Sequence, residues 1–298
     1  MTNRTERAIA ELNWRDYGGE GEIMLLVHGL GGSLANWDAV GPRLAKDRRV
    51  LAIDLPGFGM SPPQANYRLE THARAVVSFI EAVGHPVVLV GNSMGGLVSE
   101  IVAAHRPDLV SRLILVSPAT PIRLPDPEFD WLTGLRLGLE ATPYLGAAIL
   151  RAVGKRLTPE EIVELSLKMI SHNPSRIPPD VVASLTDSAR ERYHLPWVAV
   201  ALNRSASSIA WLYRRPREFV RMIRRIEAPT LVVQGKVDPI VSPNAVRWMV
   251  SLRSDWDYVE MENTGHTPQL DASVRFCRVL EDWLASSPSA DMTGSPTP

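Results

Sequence analysis

Short apolar runs alternate along this chain with longer segments in which apolar residues recur at three- and four-residue spacing. The short runs are typical of buried strands, and the longer segments are typical of amphipathic helices. The predicted strands are Ile23–Val27, Arg49–Ile53, Val87–Val90, Leu113–Ser117, Thr230–Gln234 and Tyr258–Met261. The predicted helices are Tyr67–Val83, Met94–His105, Ala245–Leu252 and Ala272–Leu284. This order predicts an α/β fold, a mostly parallel, doubly wound sheet with helices on both faces.

Polar and turn-forming residues follow the first five predicted strands directly. In a parallel sheet these strand ends meet at one edge, and open α/β sheets bind ligands at that edge. We therefore expect the functional residues in the loops that follow the strands. Upstream, Leu12–Tyr17 is a candidate for one further strand at the side of the sheet.

The alternation stops between residues 120 and 216, where a proline-rich entry is followed by several helical patterns. We predict that residues 120–216 form an inserted helical cap, and that residues 1–119 and 217–285 form one core. The clearest helix start in the insertion is Thr158-Pro159-Glu160-Glu161, a capping threonine, a proline and a glutamate three positions on. Residues 286–298 are rich in Ser, Pro, Thr and Gly and are predicted to be disordered.

The charge and composition exclude several classes of function. The 32 basic and 33 acidic residues leave a net charge of −1, which does not favour nucleic acid or an anionic membrane surface as a partner. No apolar run approaches the roughly 20 residues of a membrane-spanning helix, and the first 12 residues are too polar for a secretory signal. The single cysteine, Cys277, excludes an intramolecular disulfide. We expect a cytoplasmic protein with a small-molecule partner.

The strongest local motif is Gly91-Asn92-Ser93-Met94-Gly95, which joins the strand Val87–Val90 to the helix that begins at Met94. A Gly-x-Ser-x-Gly sequence at a strand-to-helix turn places its serine on a sharp turn above the sheet edge. The bare pentapeptide is also compatible with an ordinary glycine-rich turn, but its apolar strand and following helix favour a nucleophile. Ser93 is the predicted nucleophile.

A serine hydroxyl needs a base to accept its proton, and histidine is the side chain that titrates nearest neutrality. Of the seven histidines, His266 lies in a loop between the last predicted strand and the last helix, after Ser93 in chain order. Asp238 follows the strand Thr230–Gln234 and is predicted to orient His266, although an Asp-Pro turn is the alternative. Asp54 is a rival acid, but it precedes Ser93 and lies in a separate loop.

Attack on an acyl carbon builds negative charge on the carbonyl oxygen, which backbone amides can stabilise. The predicted donors are the amide of Met94, directly after the nucleophile, and the amide of Leu30 in a glycine-rich loop that begins at His28. We predict that His28 shapes this loop and is not the base. The sequence contains no cluster with metal-ligand spacing and no phosphate-binding loop, so neither metal nor cofactor is expected.

Four signatures in order make this chain resemble the α/β-hydrolase superfamily over nearly its whole length. They are His28-Gly29, Asp54-Leu55-Pro56-Gly57-Phe58-Gly59-Met60-Ser61, Gly91-Asn92-Ser93-Met94-Gly95-Gly96, and the loops of Asp238 and His266. The resemblance implies a serine triad, no cofactor and a helical cap over the pocket. The expected activity is hydrolysis of a carboxylic ester or a related acyl bond. The substrate is expected to be a small, apolar acyl compound.

Two alternatives remain open. The stretch around Ser93 is similar to that of hydrolases that cleave carbon–carbon bonds in ring-fission products, but those enzymes commonly have tryptophan after the histidine, where this chain has Thr267. A binding protein of the same fold without catalysis is a third possibility.

Two other groups of residues are expected to be structural. Basic residues before Thr230 could bind an anion or nucleic acid, but no matching excess of charge appears elsewhere and they are predicted to form a solvated helix face: Arg214, Arg215, Arg217, Arg221, Arg224 and Arg225. Large apolar residues of the insertion could line an acyl pocket, and most are predicted to form its core: Trp131, Leu135, Leu139, Leu145, Leu150, Trp197 and Trp211.

Overall fold

The computed structural model describes residues 12–287 and contains one seven-stranded sheet. The strands are β1 (Trp14–Gly18), β2 (Ile23–Val27), β3 (Arg49–Ile53), β4 (Val87–Asn92), β5 (Val110–Val116), β6 (Thr230–Gly235) and β7 (Asp257–Met261). Their spatial order is β1-β3-β2-β4-β5-β6-β7. Only β1 pairs antiparallel, with β3, and the remaining pairs are parallel. The predicted mostly parallel sheet is confirmed.

Helices connect the strands. They are α1 (Gly41–Leu44), α2 (Leu69–Val83), α3 (Met94–His105), α4 (Trp131–Glu140), α5 (Leu145–Gly154), α6 (Pro159–Ile170), α7 (Pro179–Arg192), α8 (Val198–Tyr213), α9 (Pro216–Arg224), α10 (Pro243–Val250), α11 (Pro268–Asp271) and α12 (Ser273–Ser286). Short 3-10 helices lie at Leu34–Trp37, Pro107–Leu109 and Pro174–Arg176.

The sheet is buried on both faces because successive side chains of its central strands point to opposite sides. On one face, Leu25 of β2 and Leu89 of β4 pack in a cluster with residues of α2, α3, α9 and α10. On the other face, Leu26 and Val90 pack with Trp37 and with residues of α12. Burial on both faces explains why these strands are continuous apolar runs in the sequence.

Several element boundaries differ from the sequence prediction for local reasons. The prediction for β2 and β3 is confirmed to the residue, and the additional edge strand is β1. α10 begins at Pro243, two residues earlier than predicted, because the Ser242 side chain accepts a hydrogen bond from the Ala245 amide and proline occupies the first helical position. α6 begins after Thr158 with the predicted reciprocal bonds between Thr158 and Glu161.

The segment between β5 and β6 contains only helices, α4 to α9. α9 packs Phe219 and Ile223 into the core, whereas its arginines are exposed, as predicted for a solvated face. α6 and α7 contact the core through a separate apolar cluster, which includes Leu167, Leu185 and Leu270 of α11.

The prediction that the large apolar residues of the insertion form its core is wrong for five of them. The five side chains that are exposed instead are those of Trp131, Leu135, Leu139, Leu145 and Trp211. Helix α4 contains no buried residue, because the helices that contact it, α5 and α8, leave its outer side uncovered within the described chain. Leu150 and Trp197 are half-buried.

Two predictions concern termini beyond the described range. The polar N-terminal segment and the predicted disordered tail from residue 286 fall largely on residues 1–11 and 288–298, which lie outside the described residues. Ser286 itself is the last residue of α12.

Candidate active site

Ser93 occupies the turn between β4 and α3 and has a backbone that few non-glycine residues adopt, with φ 54° and ψ −117°. The turn is tight on both sides. A Cβ on Gly91 would lie 2.3 Å from the Gly95 carbonyl oxygen, and a Cβ on Gly95 would lie 2.3 Å from the Val27 carbonyl oxygen. Both positions therefore require glycine, and the serine is held on a strained turn at the carboxyl end of a central strand.

His266 and Asp238 come together from two different loops. Nδ1 of His266 lies 2.8 Å from Oδ2 of Asp238, and each residue is 4% exposed. The His266 loop follows β7, and the Asp238 loop follows β6, so adjacent parallel strands bring both to the same sheet edge. A carboxylate at Nδ1 favours the tautomer with its proton on Nδ1, which leaves Nε2 able to accept a proton. Nε2 has no hydrogen-bond partner among residues 12–287.

The carboxylate of Asp238 is itself held by three other donors. Its Oδ1 accepts the amides of Ile240 at 2.8 Å and Val241 at 3.0 Å. Its Oδ2 accepts the side-chain amide of Gln234 at 3.0 Å, beside the bond to His266. The Asp-Pro turn considered as an alternative does form here, and the same carboxylate serves both the turn and the histidine.

Asn92, which directly precedes Ser93, links the serine turn to the histidine loop. Its side-chain amide donates to the carbonyl oxygen of Val116 at 3.0 Å and to that of His266 at 3.3 Å. The two loops are thus joined through the residue next to Ser93. Ser93 is 9% exposed, and its hydroxyl makes no hydrogen bond to another residue in the described range. Sequence reasoning did not identify Asn92, because its partners are backbone carbonyls distant in the chain.

The amides of Leu30 and Met94 are the two predicted donors to a carbonyl oxygen. Met94 is the first residue of α3, where an amide has no partner within its own helix. The loop of Leu30 approaches the serine closely, since a Cβ on Gly29 would lie 3.1 Å from the Cβ of Ser93. Neither amide donates to an acceptor in residues 12–287.

His28 shapes the loop, as predicted. Its Nε2 accepts the amide of Leu55 at 3.0 Å, and its Nδ1 lies 2.7 Å from the carbonyl oxygen of Gly29. Burial lowers the pKa of His28, so the neutral ring that can accept and donate in this way is favoured. The ring joins the strand ends of β2 and β3, since both of its nitrogens face main-chain atoms there.

Asp54, the alternative acid, bonds residues around the glycine-rich loop, and its carboxylate makes no hydrogen bond to His266 within the described chain. Its Oδ1 accepts the amide of Leu34 at 2.6 Å, and its Oδ2 accepts the amide of Met60 at 2.9 Å and the side chain of Asn13 at 2.6 Å. These bonds fix the start of the 3-10 helix that follows the glycine-rich segment. The Asp54 alternative is therefore wrong, because the carboxylate bonded to His266 is that of Asp238.

The segment between β5 and β6 contributes an arginine to the glycine-rich loop. Arg192, at the end of α7, donates to the carbonyl oxygens of Gly31 at 2.7 Å and Gly32 at 3.1 Å. Leu202 of α8 lies against the same loop, 3.2 Å from the position of a Cβ on Gly31. Burial lowers the pKa of Arg192, although the Asp54 carboxylate opposes this change. Arg192 has no recognisable signal in the sequence because its partners are main-chain atoms about 160 positions away.

No hydrogen bond joins the side chain of any remaining histidine to Ser93 within the described chain. His72 of α2 is fully buried, and its Nε2 lies 2.9 Å from the hydroxyl of Ser205 in α8. Burial, together with nearby His28, lowers the pKa of His72 to about 3. His105 ends α3, His85 precedes Pro86 in a turn, and His172 and His194 lie in the segment between β5 and β6.

Two further observations concern other kinds of site. Across residues 12–287 there is no group of three or more His, Cys, Asp or Glu side chains that could hold a metal ion. None of the helices in this range is long and apolar enough to cross a bilayer.

Residues 24–279 match the model of the Alpha/beta hydrolase family. The chain is 27% identical to the 2-hydroxymuconate semialdehyde hydrolase of Pseudomonas sp. (strain CF600), over 91% of this chain and 90% of that protein. It is 29% identical to the pimeloyl-[acyl-carrier protein] methyl ester esterase of Neisseria meningitidis serogroup A / serotype 4A (strain DSM 15465 / Z2491), over 92% of this chain and 84% of that protein.

Among solved structures, the fold is similar to that of a putative lipase from Acinetobacter baumannii AYE. That structure superposes with a TM-score of 0.72 at 24% identity and covers 95% of this chain and 94% of its own.

Proposed function

This chain belongs to the alpha/beta hydrolase family, and we propose that it hydrolyses a carboxylic ester, or a related acyl bond, with Ser93 as the nucleophile. The bond between His266 and Asp238, at 2.8 Å, is the observation that carries this proposal. It holds a histidine by Nδ1 at the same sheet edge as a serine on a strained turn. No other histidine of the described chain is paired with a carboxylate in this way.

The reaction proceeds in two halves. Nε2 of His266 takes the proton of the Ser93 hydroxyl while the oxygen attacks the acyl carbon, and the same proton then passes to the leaving alcohol. The product of this half is an acyl-Ser93 ester and a free alcohol. In the second half His266 removes a proton from water, the hydroxide attacks the acyl carbon, and Ser93 recovers its proton as the acid leaves.

The amides of Leu30 and Met94 act on the oxygen of the acyl group. In each half this oxygen becomes negatively charged, and two N–H groups that are already oriented stabilise it without reorganisation. The bonds of Arg192 to Gly31 and Gly32 support this role because they fix the loop in which Leu30 lies.

We infer that residues 120–216 act as a cap over this edge of a core formed by residues 1–119 and 217–285. The contact of Leu202 with the glycine-rich loop and the bonds of Arg192 support a cap that reaches the site. The expected substrate is a small, apolar acyl compound, since Leu202 and Leu30 are partly buried apolar side chains that pack at this loop. The site as proposed needs no cofactor and no metal.

A panel of p-nitrophenyl esters with acyl chains of increasing length tests the proposal. We expect turnover that depends on chain length and that is lost in Ser93→Ala. Ser99→Ala is the matched control, since Ser99 is a buried serine of α3 whose hydroxyl bonds its own helix at the Gly95 carbonyl. Equal turnover by Ser93→Ala and the wild type would exclude Ser93 as the nucleophile.

Cleavage of a carbon–carbon bond in a vinylogous diketone acid is the second candidate. Two observations favour it: the similarity of residues 91–96 to such hydrolases and the relative that is named a 2-hydroxymuconate semialdehyde hydrolase. Parallel assays of a ring-fission product and the ester panel distinguish the two. Turnover of the ring-fission product with refusal of every ester would replace the ester proposal by this one.

A further inference from the structure

Asp271, at the end of α11, is a buried carboxylate with four hydrogen bonds, and the proposed mechanism does not use it. Oδ1 accepts the hydroxyl of Ser171 at 2.7 Å and the amide of Asn173 at 3.1 Å. Oδ2 accepts the amides of Gly265 at 2.7 Å and His172 at 2.9 Å. The residue is 2% exposed, so these bonds take the place of water at both oxygens.

The four donors come from two separate parts of the chain. Gly265 directly precedes His266, whereas Ser171, His172 and Asn173 lie in the insertion between α6 and α7. One carboxylate therefore joins the loop of the proposed base to the insertion. Burial opposes ionisation of Asp271, but the bonds from Gly265, Ser171, His172 and Asn173 outweigh it and lower the pKa. The charged form that accepts four bonds is the favoured one.

Main-chain contacts reinforce this junction. The amide of His266 donates to the carbonyl oxygen of Ile170 at 2.8 Å. A Cβ on Gly265 would lie 2.7 Å from the amide nitrogen of His172 and 2.8 Å from the oxygen of Ile170. Only glycine permits this approach, so the two segments pack backbone against backbone.

We propose that Asp271 is a positioning residue for His266, acting through Gly265, and that residues 170–173 of the insertion are a fixed part of the His266 loop. The proposal rests on the proposed function, in which His266 is the base.

Asp271→Asn is the principal variant, because it keeps the shape of the side chain but replaces one acceptor oxygen by an amide that faces N–H donors. Asp38→Asn is its matched control. Asp38 also bonds α7 to the core, through the hydroxyl of Ser184 at 2.5 Å, but its described partners do not include the His266 loop. Ser171→Ala and Ser184→Ala form a second, milder pair, each removing one serine hydroxyl between the insertion and a core carboxylate.

The readouts are kcat and KM on the best ester and the far-downfield proton resonance of the bond between His266 and Asp238. We expect Asp271→Asn to lower kcat by about 10- to 100-fold with little change in KM, because a small displacement of the base affects chemistry more than binding. The downfield resonance broadens or disappears in Asp271→Asn and stays in Asp38→Asn. Ser171→Ala lowers kcat several-fold, and Ser184→Ala does not.

An Asp271→Asn protein with kcat and the downfield resonance unchanged would overturn the proposal. If that variant does not fold, the serine pair decides, and equal kcat values for Ser171→Ala and Ser184→Ala would overturn it. A wild type without Ser93-dependent turnover would contradict the proposed function alone. The resonance in Asp271→Asn and Asp38→Asn then still tests whether Asp271 positions His266.

Discussion

Nδ1 of His266 lies 2.8 Å from Oδ2 of Asp238 across 28 positions of sequence, and both side chains are buried. The histidine can therefore rotate little, and its second nitrogen has a fixed direction. In the proposed mechanism this pair determines which nitrogen of His266 can take the proton of Ser93.

Asp238→Asn is expected to lower kcat by about 10³- to 10⁴-fold, because the new amide donates to Nδ1 and favours the wrong tautomer of His266. The fold should persist, since an asparagine oxygen can still accept the amides of Ile240 and Val241. Steady-state kinetics on an ester measure the loss. Asp38→Asn serves as the control, and a kcat within about threefold of the wild type in Asp238→Asn would contradict this role.

Arg192→Met is expected to lower kcat about tenfold, because the Gly31 and Gly32 carbonyl oxygens lose their donor and the loop of Leu30 is less well fixed. Arg190→Met is the matched control on the same helix, since Arg190 pairs only with the exposed carboxylates Glu160 and Asp187 in the described chain. Kinetics of both variants on one ester test the prediction. Equal effects of the two substitutions would show that the loop does not depend on Arg192.

His72 should make the protein less stable in acid. Its pKa is about 3 in the folded state and near 6.5 when unfolded, so protonation favours the unfolded chain as the pH falls from 6.5 towards 3. We expect the difference in free energy of unfolding between the wild type and His72→Gln to shrink by as much as about 3 kcal/mol from pH 7.5 to pH 4.5. Urea unfolding at the two pH values measures it. A difference that is the same at both pH values would show that His72 does not titrate differently on folding.

Glu100 should have the opposite dependence. It is fully buried in α3, and neither carboxylate oxygen has a partner within the described chain. Burial raises its pKa well above the ordinary value of 4.5, so the folded state retains a proton that the unfolded chain releases. Stability from the neutral acid is present below 4.5 and is lost as the pH rises through the folded-state pKa.

Glu100→Gln removes that dependence while keeping the shape of the side chain. We expect the wild type to lose stability relative to Glu100→Gln between pH 5 and pH 8, as measured by urea unfolding. A difference between the two proteins that is the same at both pH values would show that Glu100 does not titrate differently on folding.

The strands of the central sheet could be predicted from the sequence because they are buried on both faces. β2 and β3 are found at the predicted residues, because the turn residues on both sides of an apolar run define where the strand begins and ends. The proposed catalytic residues could be predicted from the order of the strands. Ser93, Asp238 and His266 each come after a strand of the parallel sheet, and the ends of parallel strands meet.

What the sequence could not supply are contacts that depend on how distant segments pack. Asn92, Arg192 and Asp271 bond main-chain carbonyls and amides, which nearly all residues possess and which leave no pattern in the sequence. The exposure of α4 has a related cause. The periodicity of Leu135 and Leu139 indicates an amphipathic helix, but it does not reveal which element, if any, covers the apolar side.

Labelling of the folded wild-type protein by a fluorophosphonate, followed by peptide mass mapping, tests the central claim most directly. The account predicts one covalent phosphonyl adduct on Ser93, no adduct in Ser93→Ala, and much slower labelling in His266→Ala, because the hydroxyl then lacks its base. Ser99→Ala should be labelled at the rate of the wild type. Folded wild-type protein that remains unlabelled, or that carries the adduct on another residue, would contradict the assignment of Ser93 as the nucleophile.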